Sequence, residues 1–523
     1  MDQTAIAEVY VAKKNNRLYT VSDLLLQQAQ SGHAKKTAIV DGQRRIDYSD
    51  LLRLALGYAA VLKKAGLQKG DRVGIFLRRS IEAVVALFAT HSAGGVAVII
   101  ADVLHSKQVE HILAHSEALL MLTDSRQLLQ VPALGFDRQR IINMDEIVPG
   151  RAAFSPVSAI GNDLALLIYT SGSTGLPKGV MVSHSNLLSG AMIVSDYLRV
   201  TEEDTLISLL PFSFDYGLNQ LLMTLFTGGT LVIQRSLFPA EVCRTAQKDK
   251  ITGIAGVPTL WLQLTGAYSP FLNTSFPHLR YITNSGGSLP ESVIRQIRKS
   301  HPQVEIFLMY GLTEAFRSTF LPPDQVDIRP SSIGKAIPNV EILVLHEGGR
   351  LCRPGEVGEL IHRGATVTLG YWRDPEATAR VFRPHPLTDY GNGRAEIVAF
   401  SGDLVKTDSD GYLYFVGRRD QLIKTRGYRL SPEEIERWAF GSGLLANAVA
   451  FAVPKDPVDS HIVLAVTPKE TDDFGRQAFD RYCRNEMPEY MRPHDVWVLN
   501  EFPLTSAGKP DRVRIKQTYV ETR

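Results

Sequence analysis

Cysteine is scarce: Cys243, Cys352 and Cys483 are the three in 523 residues, and they lie far apart. That spacing excludes a disulfide framework and a CxxC metal site, and it suits a reducing, cytoplasmic setting. Charge of one sign is missing too. Fifty-seven Lys and Arg stand against fifty-five Asp and Glu, a formal net charge of +2. A nucleic-acid binder needs a strongly basic face to neutralise phosphates, so no nucleic-acid partner is expected. No long hydrophobic run is uninterrupted. The strongest membrane candidate, Ala83 to Ala101, is uncharged but broken by Gly94-Gly95, whereas a spanning helix needs about twenty suitable residues. Its first part reads as a buried helix and VAVII as a buried strand, so no membrane span is expected. The N-terminal MDQTAIAEVYVAKKNN has no sustained apolar core and does not read as a secretory signal. Internal repeats and low-complexity segments are lacking as well.

What remains is ordinary globular composition, 44% hydrophobic and 21% charged, in a chain longer than one hydrophobic core usually organises. At least two domains are expected. Short apolar runs alternate with helix-length amphipathic stretches, as in DRVGIFL then SIEAVVALFATHSAGG, and this rhythm implies α/β architecture with largely parallel sheets. From about Asn339 the texture changes to shorter strands with Gly and Pro turns, a small β-rich unit. After Gly417 a charged run, RRDQLIKTRGYRLSPEE, precedes a compact series of strand and helix signals. Ser431-Pro432-Glu433-Glu434 should open a helix, with Ser as N-cap, Pro in the first turn and Glu closing a capping box. The segment after the junction reads as a separately folding small α+β domain.

The stretch Ile168 to Gly179, IYTSGSTGLPKG, follows a hydrophobic strand and is built for an anion. Gly172, Gly175 and Gly179 permit close backbone approach, Thr170, Ser171, Ser173 and Thr174 supply hydroxyl donors, and Lys178 supplies positive charge. Polyphosphate is the natural guest, and a flexible Gly/Ser turn is the bland alternative. A P-loop requires G-x-x-x-x-G-K-[ST], but here Pro177 stands before Lys178 and Gly179 after it, which disfavours a Walker-type ATPase or kinase.

YTSGSTGLPKG resembles the signature of the adenylate-forming superfamily, which contains acyl-CoA synthetases, the adenylation domains of nonribosomal peptide synthetases and firefly luciferase. Further motifs follow in that family's order: Ile46-Asp47-Tyr48, Gly286-Gly287-Ser288-Leu289-Pro290, Tyr310-Gly311-Leu312-Thr313-Glu314, Gly358-Glu359-Leu360, Ser401-Gly402-Asp403, Gly417-Arg418 with Asp420, and Pro503-Leu504-Thr505 with Gly508-Lys509. The phrases FSFDYGLNQL and YGLTEAFRSTFLPP are similar to a bacterial subgroup often encoded beside exosortase genes.

The resemblance implies a reaction in two halves. A carboxylate attacks the α-phosphate of ATP to give an acyl adenylate and pyrophosphate, and a thiol, by default coenzyme A, then displaces AMP. Positioning and electrostatic stabilisation dominate such phosphoryl chemistry. By resemblance, the loop from Thr170 to Lys178 holds the β- and γ-phosphates, and Gly286, Gly287 and Ser288 form a wall for adenine. Taken alone, GGSLP is a strand-to-helix turn capped by Ser288, a reading compatible with the first. Tyr310 would stack on adenine, Thr313 would donate to the α-phosphate, and Glu314 with Thr170 would ligate Mg²⁺, a hard cation that prefers oxygen. Asp403 would accept from the ribose hydroxyls and Arg418 would add a donor. Lys509 would reach from the small domain to bridge the substrate carboxylate and the α-phosphate. Its comings and goings require a mobile small domain: 1–417 as the large domain, 418–420 as hinge with Asp420 at its centre, and 421–523 as lid. The loop around Lys424, Arg426, Gly427 and Tyr428 would then face the cleft, Gly427 leaving room for a pantetheine arm.

For the acyl substrate the resemblance points to Phe214, Asp215 and Gly311, and there the subgroups diverge. Acyl and aryl ligases commonly have His at the position of Phe214, whereas amino-acid adenylation domains read Phe-Asp and use that Asp to hold an α-ammonium group. Tyr216-Gly217-Leu218-Asn219 looks like the aryl and acyl ligases. A carboxylate in a pocket is costly unless paired, so Asp215 is expected to meet a substrate amine or to be bridged by water. The leading expectation is an acid-thiol ligase using coenzyme A. The alternatives are loading of an amino acid onto a separate carrier protein, since a fused carrier would need residues beyond Arg523, and a non-catalytic nucleotide-binding homologue.

Overall fold

Runs of branched and aromatic residues bounded by Gly, Pro and Asp form two large sheets, and the amphipathic stretches between them form the covering helices. In a computed structural model, described for residues 18–522 except 133, 151–153, 172–176, 388–394, 420, 426–427, 455–459 and 470–474, a six-stranded sheet takes the order Ile141–Asn143, Ala118–Thr123, Arg72–Phe76, Val96–Ile99, Leu164–Ser171 and Pro177–Ser183. Its first five strands are parallel, and only the last pairing is antiparallel. The segment Ala83 to Ala101 is the helix Ile81–Ser92 followed by the strand Val96–Ile99, both in the core. Among the described residues no helix is long and apolar enough to cross a membrane.

A fourteen-stranded sheet carries a second parallel core, from Thr37–Asp41 through Thr230–Ile233, Thr205–Ser208, Gly253–Gly256 and Tyr281–Asn284 to Glu305–Tyr310. Strands buried on both faces read as continuous apolar runs, which is why their sequences show no alternation. The β-rich stretch expected from Asn339 is not a sheet of its own. Its strands Val340–Leu345, Gly358–Gly364, Ile397–Thr407 and Leu413–Arg418 continue the large sheet in antiparallel sense, joined through Ser332–Ala336.

The small domain is α+β: the antiparallel pair Leu445–Pro454 and Ser460–Pro468, the strand Asp495–Val498 parallel to the second, and the helices Pro432–Phe440, Arg476–Glu486 and Arg512–Thr522. It has its own apolar cluster, including Ile435, Leu464, Phe479 and Met487. The Ser431 hydroxyl caps its first helix by accepting from the Glu433 N–H at 3.1 Å, and it donates to the Glu433 carboxylate at 2.6 Å. The expected Ser431 makes the cap, but the carboxylate it meets is that of Glu433 through its hydroxyl, so the capping box expected of Glu434 does not form.

Candidate active site

The phosphate-loop sequence is a hairpin between Leu164–Ser171 and Pro177–Ser183. Thr170 lies opposite Lys178 across it and Tyr169 opposite Gly179. The tip, with Gly172, Ser173, Thr174 and Gly175, and the Ser171 side chain lie outside the described residues. Directly opposed residues on one face of an antiparallel pair lie within contact range, so the hydroxyl of Thr170 and the ammonium of Lys178 flank the mouth of the loop together.

A segment to which the motifs give no role braces this hairpin. Met181 N–H donates to Gly370 O at 2.8 Å, Leu369 N–H to Met181 O at 2.9 Å and Trp372 N–H to Gly179 O at 2.7 Å. Lys178 Nζ stands 3.1 Å from Asp374 Oδ2 and 5.7 Å from the centre of the Tyr371 ring. Asp374 also caps the helix Pro375–Val381, and the Ala377 N–H it accepts, followed by Lys178, holds its carboxyl below the ordinary range. The Tyr371 hydroxyl donates to Glu314 Oε1 at 2.5 Å, and Thr368 donates to Glu314 O through its hydroxyl and its N–H. Residues 368–374 therefore tie the phosphate-loop lysine to the glutamate expected to ligate a metal. The Asp374-Pro375 pair is a helix-start signal in sequence; its second task on Lys178 has no local signature.

Tyr310 closes the strand Glu305–Tyr310, and Thr313 and Glu314 occupy the short turn Thr313–Ala315 that follows. The Tyr310 hydroxyl donates to Asp403 Oδ2, and Arg418 Nη1 lies 3.3 Å from Asp403 Oδ1. Burial, reinforced by Asp403, holds the Tyr310 phenol well above its ordinary pKa, so it stays a donor. His362, pushed down to about 3 by burial and hence neutral, stacks at 6.2 Å on the Tyr310 ring. Glu359 of the GEL motif accepts from the Gly402 N–H at 3.2 Å and from Arg419 at 3.1 Å, fixing the turn that presents Asp403. Tyr310 and Arg418, each at a strand end, thus meet Asp403 in the middle of the strand Ile397–Thr407, and Glu314 follows Tyr310 in the next turn.

Magnesium, as the counterion of a nucleotide, fits the donors present. Glu314 offers one carboxylate and Thr170 one hydroxyl, a set suited to a hard cation whose other ligands are phosphate oxygens and water. Among the described residues no group of three or more His, Cys, Asp or Glu could hold a metal unaided.

Lys509 sits at the tip of a tight turn in which Thr505 N–H donates to Lys509 O at 2.7 Å and Leu504 bridges Pro510. Thr259, in the helix Pro258–Leu264 of the large domain, donates its hydroxyl to Gly508 O at 2.8 Å and so hooks this tip into the cleft. The lysine lies against Gly286, whose φ is +82°; a Cβ there would stand 2.6 Å from Lys509 Cε and 3.0 Å from Nζ. Only glycine combines that backbone with that clearance. Lys509 Nζ is 5.1 Å from the centre of the Phe214 ring. Burial pushes its ammonium below the ordinary lysine value, and Asp215 and Asp403 pull it back in part. Ser288, by contrast, is exposed and caps nothing: the N-cap of the helix Glu291–Ser300 is Pro290. The GGSLP turn is therefore present without its expected cap, because the helix starts two residues too late for the Ser288 hydroxyl.

Phe214 is the N-cap of the helix Asp215–Thr227, which places Asp215 in its first turn. Asp215 has a cationic neighbour within the chain. Arg317 Nη1 lies 3.5 Å from Asp215 Oδ2, and Nη2 donates to Asp215 O at 3.0 Å. Nothing local in the sequence marks Arg317, three residues beyond Glu314, as buried. A Cβ at Gly311 would stand in ordinary van der Waals contact with the Arg317 backbone, 3.6 Å away. Asp420 and Gly427 lie outside the described residues; Lys424 is described only as part of the strand Ile423–Thr425.

Lys509, on a turn of the small domain, thus lies against Gly286 and Phe214 and in the field of Asp215 and Asp403. The chain belongs to the AMP-binding enzyme family, whose model matches residues 26–372, with the C-terminal domain of AMP-binding enzymes at 434–509. It is an adenylate-forming enzyme. Gramicidin S synthase 2 of Aneurinibacillus migulanus is 29% identical over 499 residues, covering 94% of this chain and 11% of that protein. The chain thus spans about a tenth of that relative's length. Among solved structures, ATP-bound MatB from Rhodopseudomonas palustris is 26% identical with a TM-score of 0.84, covering 97% of this chain and 100% of that one. The o-succinylbenzoate coenzyme A synthetase MenE from Bacillus subtilis, with ATP and magnesium ion, is 25% identical with a TM-score of 0.80, covering 94% and 98%.

Proposed function

We propose that this enzyme is an AMP-forming acid-thiol ligase that uses ATP with Mg²⁺ to convert a carboxylic acid to its acyl adenylate and then transfers the acyl group to coenzyme A. The observation that carries the reading is Lys509, seated against Gly286 and beside Phe214. A cation there meets the charge that develops on the α-phosphate and the incoming carboxylate, the kind of preorganised contact that dominates such catalysis. In this reading Thr170 to Lys178 grip the β- and γ-phosphates. Gly286, Gly287, Ser288, Tyr310 and Gly311 bound the adenine, Thr313 serves the α-phosphate, Asp403 and Arg418 the ribose, and Thr170 with Glu314 the cation. Residues 1–417 form the large domain, 418–420 the hinge and 421–523 the lid, whose rotation withdraws Lys509 and brings Lys424 and Gly427 to the thiol. The likeness to a coenzyme A synthetase supports the thiol named here.

A second reading, loading of an amino acid onto the phosphopantetheine of a separate carrier protein, is favoured by the likeness to gramicidin S synthase 2. The deciding experiment is carboxylate-dependent ATP–pyrophosphate exchange over fatty, aryl and amino acids, followed by product analysis with coenzyme A and with a phosphopantetheinylated carrier. Acyl-CoA is the expected product; thioester on the carrier alone would transfer the assignment to the second reading. Within the same scheme, Asp420→Pro stiffens the hinge and Gly427→Leu fills the pantetheine path. Both variants should keep exchange and lose thioester.

A further inference from the structure

Asp215 and Arg317 are each 4% exposed, and they form an ion pair one residue from the aromatic ring beside Lys509. Asp215 Oδ1 accepts from the Tyr216 N–H at 2.9 Å, and Oδ2 faces Arg317. The guanidinium is fixed from several sides. Its Nη1 donates to Phe316 O at 3.0 Å, and its carbon lies 5.3 Å from the ring centres of both Tyr216 and Phe316. Phe316 itself has φ of +26°, a conformation a bulky residue keeps only when its surroundings hold it there. One such support is Gly190, where a Cβ would stand 2.6 Å from the Phe316 ring. The fold thus maintains a strained residue next to an inward-turned arginine.

Resting on the acid-activating function proposed above, we infer that Arg317 is a specificity-determining residue that answers the charge of Asp215 and sets the acyl pocket against α-ammonium substrates. The substrate class is then carboxylic acids without a cationic amine beside the carboxylate: fatty, hydroxy or aryl acids. Guanidinium and ammonium are both pure donors, so neither can accept from the other. An amine reaching Asp215 must stand beside a like charge in a desolvated site or displace Arg317, and displacement leaves a buried cation unpaired. An oxygen substituent meets no such obstacle. Arg317 Nε is a buried donor with no hydrogen-bond partner among the described residues.

The test is ATP–pyrophosphate exchange with matched acids, octanoate against 2-aminooctanoate and 3-phenylpropionate against phenylalanine. For the wild-type enzyme, kcat/KM should favour the amine-free member of each active pair at least tenfold. Arg317→Gln should move that ratio tenfold or more toward the amino acid, and adding Asp215→Asn to it should cancel the shift. If Arg317→Gln does not fold, Asp215→Asn alone reads the same coupling in the opposite direction: an unanswered Arg317 should reject the amino acid still more strongly. A wild-type preference for amino acids, or a folded variant that leaves the ratio unchanged, overturns the inference while leaving acid activation intact. Exchange with none of the four acids, nor with the wider panel above, would overturn the proposed function and this inference with it.

Discussion

At Lys509, burial and charge pull in opposite directions. Burial lowers its pKa from the ordinary 10.5, and the fields of Asp215 and Asp403 only partly restore it. In the role proposed for it the lysine acts as a cation, so the free enzyme should lose activity as pH rises through this lowered value. The alkaline limb of kcat/KM for adenylation should therefore fall below pH 10.5, as measured by pyrophosphate exchange. With nucleotide bound, the added phosphate charge should shift the same limb upward in kcat. Lys509→Ala should cost about 10²–10³ in adenylation, the usual loss for one preorganised charge contact, while transfer from a supplied acyl adenylate persists. Adenylate formation at the wild-type rate would remove the lysine from its role. Gly286→Ala tests the wall behind it: a Cβ 2.6 Å from Lys509 Cε, on a backbone with φ of +82°, must push the lysine out or distort the turn. Adenylation should fall at least tenfold, since a displacement of about 1 Å from the reacting position can cost still more.

Among the elements, the segment 368–374 connects what the motifs leave separate. It lies along the second strand of the phosphate hairpin, holds Lys178 through Asp374 and orients Glu314 through Tyr371. Tyr371→Phe removes one hydrogen bond to a carboxylate, worth about 1.5–3 kcal/mol in general, and should raise the magnesium concentration needed for half-maximal exchange about tenfold. A magnesium titration unchanged from wild type would remove Tyr371 from that orienting role. The strand-helix alternation and the buried character of Ala83 to Ala101 were legible because apolar period and turn residues are local. The pairing of Asp215 with Arg317 was not, since the two stand 102 residues apart along the chain and meet only when a strand end packs against a helix start. Ser288 shows the reverse failure: its local chemistry fits a cap, but the helix begins too late to use it.

For the whole molecule, the small domain has a core of its own and a buried ionic link. Glu436, in its first helix, accepts from Arg512 at 2.5 and 2.7 Å and from the Ala450 N–H at 2.7 Å, joining helix, sheet and last helix. Burial raises the Glu436 pKa and Arg512 opposes it. Arg512→Met strands that carboxylate. The cost should be about 2–3 kcal/mol, below the usual figure for a broken buried pair because Arg512 is 33% exposed. Hydrogen exchange in Leu445–Pro454 and Ser460–Pro468 should quicken, and that in Tyr281–Asn284 should not; equal loosening of both would mean that the two domains unfold as one. Amino-acid order by itself determined the α/β alternation, the presence of a small C-terminal domain and the family motifs, because hydrophobic period, caps and glycine loops act over a few residues. Tertiary structure alone decided that Lys509 faces Gly286, that the β-rich strands extend the large sheet and that Arg317 answers Asp215. Those contacts join residues far apart in the chain, and their energies depend on burial, which local sequence does not encode.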